Sequence, residues 1–362
     1  MENSLKWSER HMPLNAVLKY IRSVYLEFLV RIYDNPPKLF GFLGFIILFI
    51  LPFTTSTSLL RIFSVANILA IYALSWDLLV GRTGQISLGH AIFYGAGAYG
   101  SALLYKYLEW PAWLTVPLSI ILCAMIAILI GIPALRVKGP YLALLTFALP
   151  LAFEGFLHYY SDIFGGDTGI RPLPKFYSGL VYSQVPIVNY YFSLILMTIS
   201  AIIIYKIATS KIGLTFISIL DDELASKACG INVTKYKLMS FMLSGMFGGF
   251  AGAVYAHLIE SRVDPHFIST TMSIFPIIVT VIGGLGSLYG PIIGTYIYSL
   301  LDQYIFSSII SLDPSLRIVC YVVIVIFLII KWPRGTARVI IEKLEDLQEP
   351  REVEEILERK KG

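Results

Sequence analysis

A succession of apolar stretches, each near the length that crosses a lipid bilayer, constrains this chain more than any other feature. Ten can be read, at 39–53, 59–80, 90–108, 112–133, 141–160, 188–207, 236–259, 272–282, 287–306 and 315–332. A helix needs about 20 residues for the crossing, and within one segment only a helix satisfies its own backbone hydrogen bonds in hydrocarbon. The predicted fold class is an all-α polytopic membrane protein with about eight to ten transmembrane helices. The range arises because 90–108, 272–282 and 287–306 are interrupted by glycine and read as broken or re-entrant segments. Composition agrees: 56% of residues are hydrophobic and 14% charged, where soluble domains carry about 25% charged residues.

The net charge of +4 is small and the basic residues do not cluster, which argues against a nucleic-acid partner. Cys123, Cys229 and Cys320 are too far apart in sequence to imply a disulfide framework or a metal site. The first long apolar run begins only near Leu39, so no secretory leader is expected. Three regions follow. Residues 1–38 form a cytoplasmic segment whose stretch 14–33 has an apolar stripe opposed by Lys19, Arg22 and Arg31, the pattern of a helix lying in the interface. Residues 39–334 form the membrane domain, and 335–362 a charged, solvated tail. With both termini inside the cell membrane, roughly 22 Lys and Arg fall on the cytoplasmic side and roughly six outside, as the positive-inside rule requires. This arrangement places 208–235 in the cytoplasm. It places the Gly-, Pro- and Tyr-rich segment 161–187 outside, as an ordered, turn-rich loop.

The least lipid-like sequence at membrane depth is 81–100, GRTGQISLGHAIFYGAGAYG. Gly81, Gly84 and Gly89 permit tight turns and close backbone approach. Gln85, Ser87 and His90, with Asn67, Asp77 and Arg82 nearby, must face protein or water. An unwound segment lining a translocation cavity satisfies both demands, and half-helix ends beside it would suit a small zwitterion. Hydrogen bonds that merely stitch helices together are the other reading. A second glycine cluster at 283–291 falls on the same predicted side. The pairs Gly245/Gly249, Gly248/Gly252 and Gly290/Gly294 are spaced for helix contact.

Between two apolar runs lies 211–236, KIGLTFISILDDELASKACGINVTKY. One short helix is predicted here, with Ser218 and Asp221 at capping-box spacing, Asp221, Asp222 and Glu223 at its start, and Gly230 as its stop. It reads either as a solvated loop or as a compact helix seated in a partner's groove. Catalysis is poorly supported: His90, His158, His257 and His266 lack metal-protease spacing, no nucleophile elbow occurs, and Glu154 with His158 reads as a structural pair before a proton relay. No phosphate-binding loop occurs either, so ATP-driven work would need an engine on another chain.

Five stretches in order resemble the permeases of branched-chain amino acid ABC transporters, the LivM type in particular. They are GRTGQISLGHAIFYGAGAYGSALL, GIPALRVKGPYLALLT, the run DDELASKACGINVTKYKLMSFMLSGMFGGFAGAVYA, VIGGLGSLYGPIIGT and KWPRGTAR. The resemblance implies an importer permease working with a second homologous permease, two cytoplasmic ATPase subunits that bind the ATP, and an extracytoplasmic substrate-binding protein. No cofactor on this chain is implied. Carried over by position, Gly81, Gly84, Gln85, Ser87, Gly89 and His90 belong to the translocation region. Gly213, Asp221, Asp222, Glu223, Ala225 and Gly230 belong to the ATPase-coupling loop. Two stretches depart from the family pattern, 147–151 in the fifth apolar run and GGDTGIRPLP outside. They leave urea and short amides beside branched-chain amino acids as solutes. An ion-coupled secondary transporter using Asp77 or His90 is the alternative class.

Overall fold

The structure, a computed structural model, describes residues 44–137, 140–177, 179, 181, 183–309 and 313–331. The chain divides into two units, Met1–Ile50 with Ile341–Gly362, and Leu51–Ile340. Of the first, only residues 44–50 are described, and they are helical. The interfacial helix expected at 14–33 and the tail from 335 lie outside the described residues.

The second unit is built from helices α1 (Thr57–Thr83), α2 (Ala91–Leu108), α3 (Ala112–Ala134), α4 (Pro140–Tyr159), α5 (Val185–Thr209), α6 (Lys211–Asp221), α7 (Glu223–Ala228), α8 (Val233–Tyr255), α9 (Thr270–Gly283), α10 (Gly290–Ser299) and α11 (Pro314–Lys331). Two π-turns, Ala256–Glu260 and Leu300–Ile309, extend α8 and α10. Among the described residues regular structure is helical throughout, apart from one antiparallel bridge between Ile170 and Val263. Among the described residues five helices are both long and apolar enough to cross a bilayer: α1, α3, α4, α5 and α8 with its π-turn. The stretch at 90–108, expected to break, is a continuous helix of 18 residues whose glycines sit inside it without interrupting it. The stretch at 272–282 does fall short, because α9 has only 14 residues.

Helix α1 is the centre of the bundle. Its apolar window is 94% buried, against 33% for α3 and α5 and 28% for α4. It packs against α5, α8, α10 and α9, while α8 packs along α2 and α3. A helix apolar all round and touched on every side belongs inside, whereas half-covered helices turn apolar faces outward. The α2–α8 contact is a close backbone approach: a methyl group on Gly97 would lie 2.0 Å from the Gly249 carbonyl oxygen, and one on Gly252 would lie 1.9 Å from that of Tyr94. Small residues allow this, and without a hydrophobic driving force between helices such packing holds a membrane bundle together.

The segment expected outside carries two short turns, Ser161–Phe164 and Gly166–Thr168. It then joins the region after α8, where Ile170 and Val263 exchange backbone hydrogen bonds of 2.8 and 3.1 Å. His158 departs from expectation. Its Nδ1 lies 3.2 Å from Asp167 Oδ1 in this loop, so it pairs across the turn rather than with Glu154 on its own helix.

Replacing Gly97 by Ala forces α2 and α8 apart, since the obstructing atom is backbone. The expected cost is about 1–3 kcal/mol or more, read as a lowered melting temperature of the detergent-solubilised protein. Gly155→Ala, where a new methyl meets nothing within 4 Å, serves as the control and leaves the melting temperature unchanged or slightly raised.

Candidate translocation and coupling site

Helix α1 ends at Gly84, whose φ of 68° is left-handed and whose N–H returns to Val80 O. Residues 84–90 are then non-helical until α2 begins at Ala91. Of the stretch 81–100, only 84–90 is unwound, and it is buried in the bundle apart from exposed Gly84 and Ile86 and half-buried Leu88. Irregular backbone at that depth requires partners, and the side chains supply them. Gln85 Nε2 donates to Thr83 Oγ1 at 2.8 Å, to Ser240 Oγ at 2.9 Å and to the Lys237 carbonyl at 3.3 Å. The Ser87 carbonyl accepts from Trp76 Nε1 at 2.8 Å, and Leu88 N donates to Thr146 Oγ1 at 3.1 Å. Gly89 lies against the Thr146 carbonyl, where a methyl would clash at 1.7 Å.

His90 is fully buried, with Nε2 2.8 Å from Ser75 Oγ. Ser75 spends its single hydroxyl proton on the Tyr72 carbonyl, so the histidine nitrogen is the donor. That assigns the Nε2–H tautomer and leaves Nδ1 a buried acceptor without a hydrogen-bond partner. The Tyr72 ring stacks on the imidazole at 5.3 Å, and its hydroxyl donates to the Met272 carbonyl, tying the site to α9.

Gly81 meets the second glycine cluster. Asp77 is buried and its Oδ1 accepts from Gly286 N at 2.7 Å, while Oδ2 has no hydrogen-bond partner. A methyl on Gly81 would lie 2.5 Å from Asp77 Oδ1 and 2.8 Å from Gly286 N. The two glycine clusters thus dock on each other, a contact that their loose sequence likeness does not reveal. Asn67, another polar residue of α1, links α5 and α10: Nδ2 donates to Ser193 Oγ at 3.0 Å, and Oδ1 accepts from Tyr296.

The loop 211–236 holds two helices where one was expected. Asp222, extended at φ −153°, separates them and caps α7, its Oδ1 accepting from Leu224 N at 2.8 Å and Ala225 N at 3.0 Å. A single aspartate accepting two end amides ends one helix and starts the next, which the clustered acids alone did not reveal. Ser218 lies inside α6 rather than at a cap, and its carbonyl accepts from Ser226 Oγ across the break at 2.9 Å. Asp221 is the last residue of α6, and Ala225 and exposed Gly230, at φ 81°, lie in and after α7. Gly213 packs onto the end of α5, where a methyl would lie 2.1 Å from the Ala208 carbonyl.

Glu223 fixes α7 to the bundle. Its Oε1 accepts from Lys227 at 2.8 Å and its Oε2 from Lys237, on α8, at 2.6 Å. These bonds, that to Lys227 first, hold its carboxyl down at about 2. Lys237 was not singled out by sequence, yet it serves both sites: its ammonium holds Glu223 and its carbonyl holds Gln85. A second link runs beside it, since a methyl on Gly84 would lie 2.9 Å from Leu220 Cδ1 of α6. Two regions that are far apart in sequence are therefore in contact.

Spanning helices around a buried, hydrogen-bonded break define a multi-pass α-helical membrane protein. Residues 58–330 match the family described as branched-chain amino acid transport system, permease component, and the chain belongs to that family. The family's description is that of a transport permease component. The chain is 29% identical over 265 residues to the high-affinity branched-chain amino acid transport system permease protein LivM of Escherichia coli K12, and equally so to that of Salmonella typhimurium LT2. Those matches cover 67% of this chain and 62% of each LivM, so the chain spans less than two thirds of these relatives' length. It is also 25% identical over 303 residues to the autoinducer 2 import system permease protein LsrC of Salmonella paratyphi A, covering 80% of this chain and 82% of that one. No solved structure matches.

The Glu223 contacts carry a pH signature. Its folded pKa of about 2 lies below the ordinary 4.5, so the stabilisation is complete above pH 4.5 and is lost as pH falls from there toward 2. Amide exchange of α7, corrected for intrinsic rates, should accelerate across that window. In Glu223→Gln the acceleration should be absent, with α7 exchanging fast at every pH.

Proposed function

We propose that this chain is a permease subunit of an ABC importer that moves branched-chain amino acids by alternating access. It would work with a second homologous permease, two cytoplasmic ATPase subunits that bind the ATP, and an extracytoplasmic substrate-binding protein. The observation that carries the reading is the contact between the α6–α7 element and the unwound segment, through Lys237 and through Leu220 on Gly84. A short capped helix tied by Glu223 to α8 moves as one piece with that helix. Displacing it would displace Lys237, and with it the backbone that holds Gln85. Leu224, 76% exposed on α7, is the apolar group such an element would offer a docking partner.

In this mechanism no chemistry occurs on the solute. ATP-driven closure of the partner subunits pushes α6–α7, and the region of Gly81, Gly84, Gln85, Ser87, Gly89 and His90 switches from outside-facing to inside-facing. The family match over 58–330 supports the transporter class, and the likeness to LivM supports the amino-acid solute. The positive-inside distribution supports a cytoplasmic position for α6 and α7, with both termini on that side.

Charge reversal at Glu223, as Glu223→Lys, is expected to reduce ATPase co-purification and uptake together. Lys237→Gln leaves the docking surface intact and is expected to uncouple the two, with ATP hydrolysis retained and uptake lowered several-fold. Normal assembly and uptake in both variants would refute the lever. Uptake of a panel of amino acids, urea and short amides identifies the solute class. Uptake that collapses when the proton gradient is dissipated at high ATP would instead favour ion coupling through Asp77 or His90.

A further inference from the structure

The end of α8 opposite Lys237 carries charges and a buried polar atom that the mechanism above leaves unused. There the helix widens into the π-turn Ala256–Glu260, a winding often found at functional sites. Ser261 follows with a left-handed φ of 55°, uncommon for a residue with a side chain. Beneath this turn the rings of Tyr94, Tyr255 and Phe267 form a triangle with centroids 5.6 to 6.1 Å apart. Tyr94 is completely buried, yet its hydroxyl has no hydrogen-bond partner. That hydroxyl lies within electrostatic reach of Tyr255, Tyr72 and Glu260.

Three charged side chains stand at the mouth of the triangle. Tyr255 Oη donates to Glu260 Oε1 at 3.4 Å, and Arg262 Nε stands 3.4 Å from Glu260 Oε2 and 3.5 Å from Asp264 Oδ2. The contacts of Glu223 at the other end of α8, at 2.6 and 2.8 Å, are of full charge-assisted length. Those at the mouth are loose, and loose surface ion pairs contribute little to a fold. A buried hydroxyl without a partner works against it. Both facts make sense if the groups are matched to a ligand.

We infer that this end of α8 is a subsite for the zwitterionic head of an α-amino acid. The solute's ammonium sits beside Glu260 and the Tyr255 ring whose hydroxyl reaches it, where ion pairing and cation–π attraction act together. Its carboxylate takes the guanidinium of Arg262, and the Tyr94 hydroxyl gains the partner it lacks. Asp264 keeps Arg262 in place, since its other oxygen is engaged at 3.1 Å with His266 N. The assignment rests on the amino-acid importer reading and narrows it, because urea or an uncharged amide has no ammonium for Glu260.

The test is L-leucine uptake by the complete complex in proteoliposomes supplied with ATP and its substrate-binding protein. Glu260→Gln removes the charge at nearly constant shape. It is expected to raise the leucine concentration for half-maximal uptake about tenfold, the scale of one charge-assisted contact. The maximal rate should be little changed, and Glu260→Asp should recover most of the affinity. Arg262→Gln should weaken uptake similarly, and Tyr94→Phe, which removes only the unpartnered oxygen, by a few fold. Uptake curves of Glu260→Gln and Arg262→Gln that overlay wild type overturn the subsite while the importer reading stands. A wild-type complex that carries an uncharged amide and no amino acid overturns both.

Discussion

A carboxylate buried in an apolar bundle has to find a partner, and Asp77 finds one in the backbone of a distant glycine cluster. Its hydrogen bond to Gly286 N, with Gly81 pressed against the same backbone, joins the end of α1 to the turn between α9 and α10. No side chain larger than hydrogen fits at Gly81. Asn67 meets the same demand higher on α1, reaching Ser193 and Tyr296 on two other helices. Because α1 is buried on every side, its polar groups set how the helices around it are placed.

The break after α1 shows why an irregular segment survives at this depth. Gln85, Ser87 and Leu88 each use a hydrogen bond to another element, and the conformation is held from α1, α4 and α8 at once. Such a segment does not move alone. Any displacement of α8 carries Lys237 and Ser240 with it, and the α6–α7 element is bonded to the same lysine. Rigid local bonding on an element that rests on few others is the arrangement a lever requires.

Both ends of α8 hold charged groups, in opposite states. Near its start Glu223 is saturated by two short bonds, and near its end the ion pairs of Arg262 with Glu260 and Asp264 are long, near a buried hydroxyl without a partner. The first arrangement suits the lever proposed for α6 and α7. The second suits the solute subsite inferred there.

By itself the sequence determined the all-α membrane class, the position of most helices and the existence of the unwound stretch after α1. Hydrophobic length and backbone satisfaction are local demands that a reader can apply residue by residue. It also located the polar loop 211–236, though not its division at Asp222, because three adjacent acids do not say which one caps. Tertiary structure alone decided that the two glycine clusters touch, that His158 pairs with Asp167, and that Lys237 joins α7 to Gln85. Those pairings lie far apart along the chain or across a turn, where spacing carries no signal. They exist because buried polar groups take whatever partner packing brings within reach.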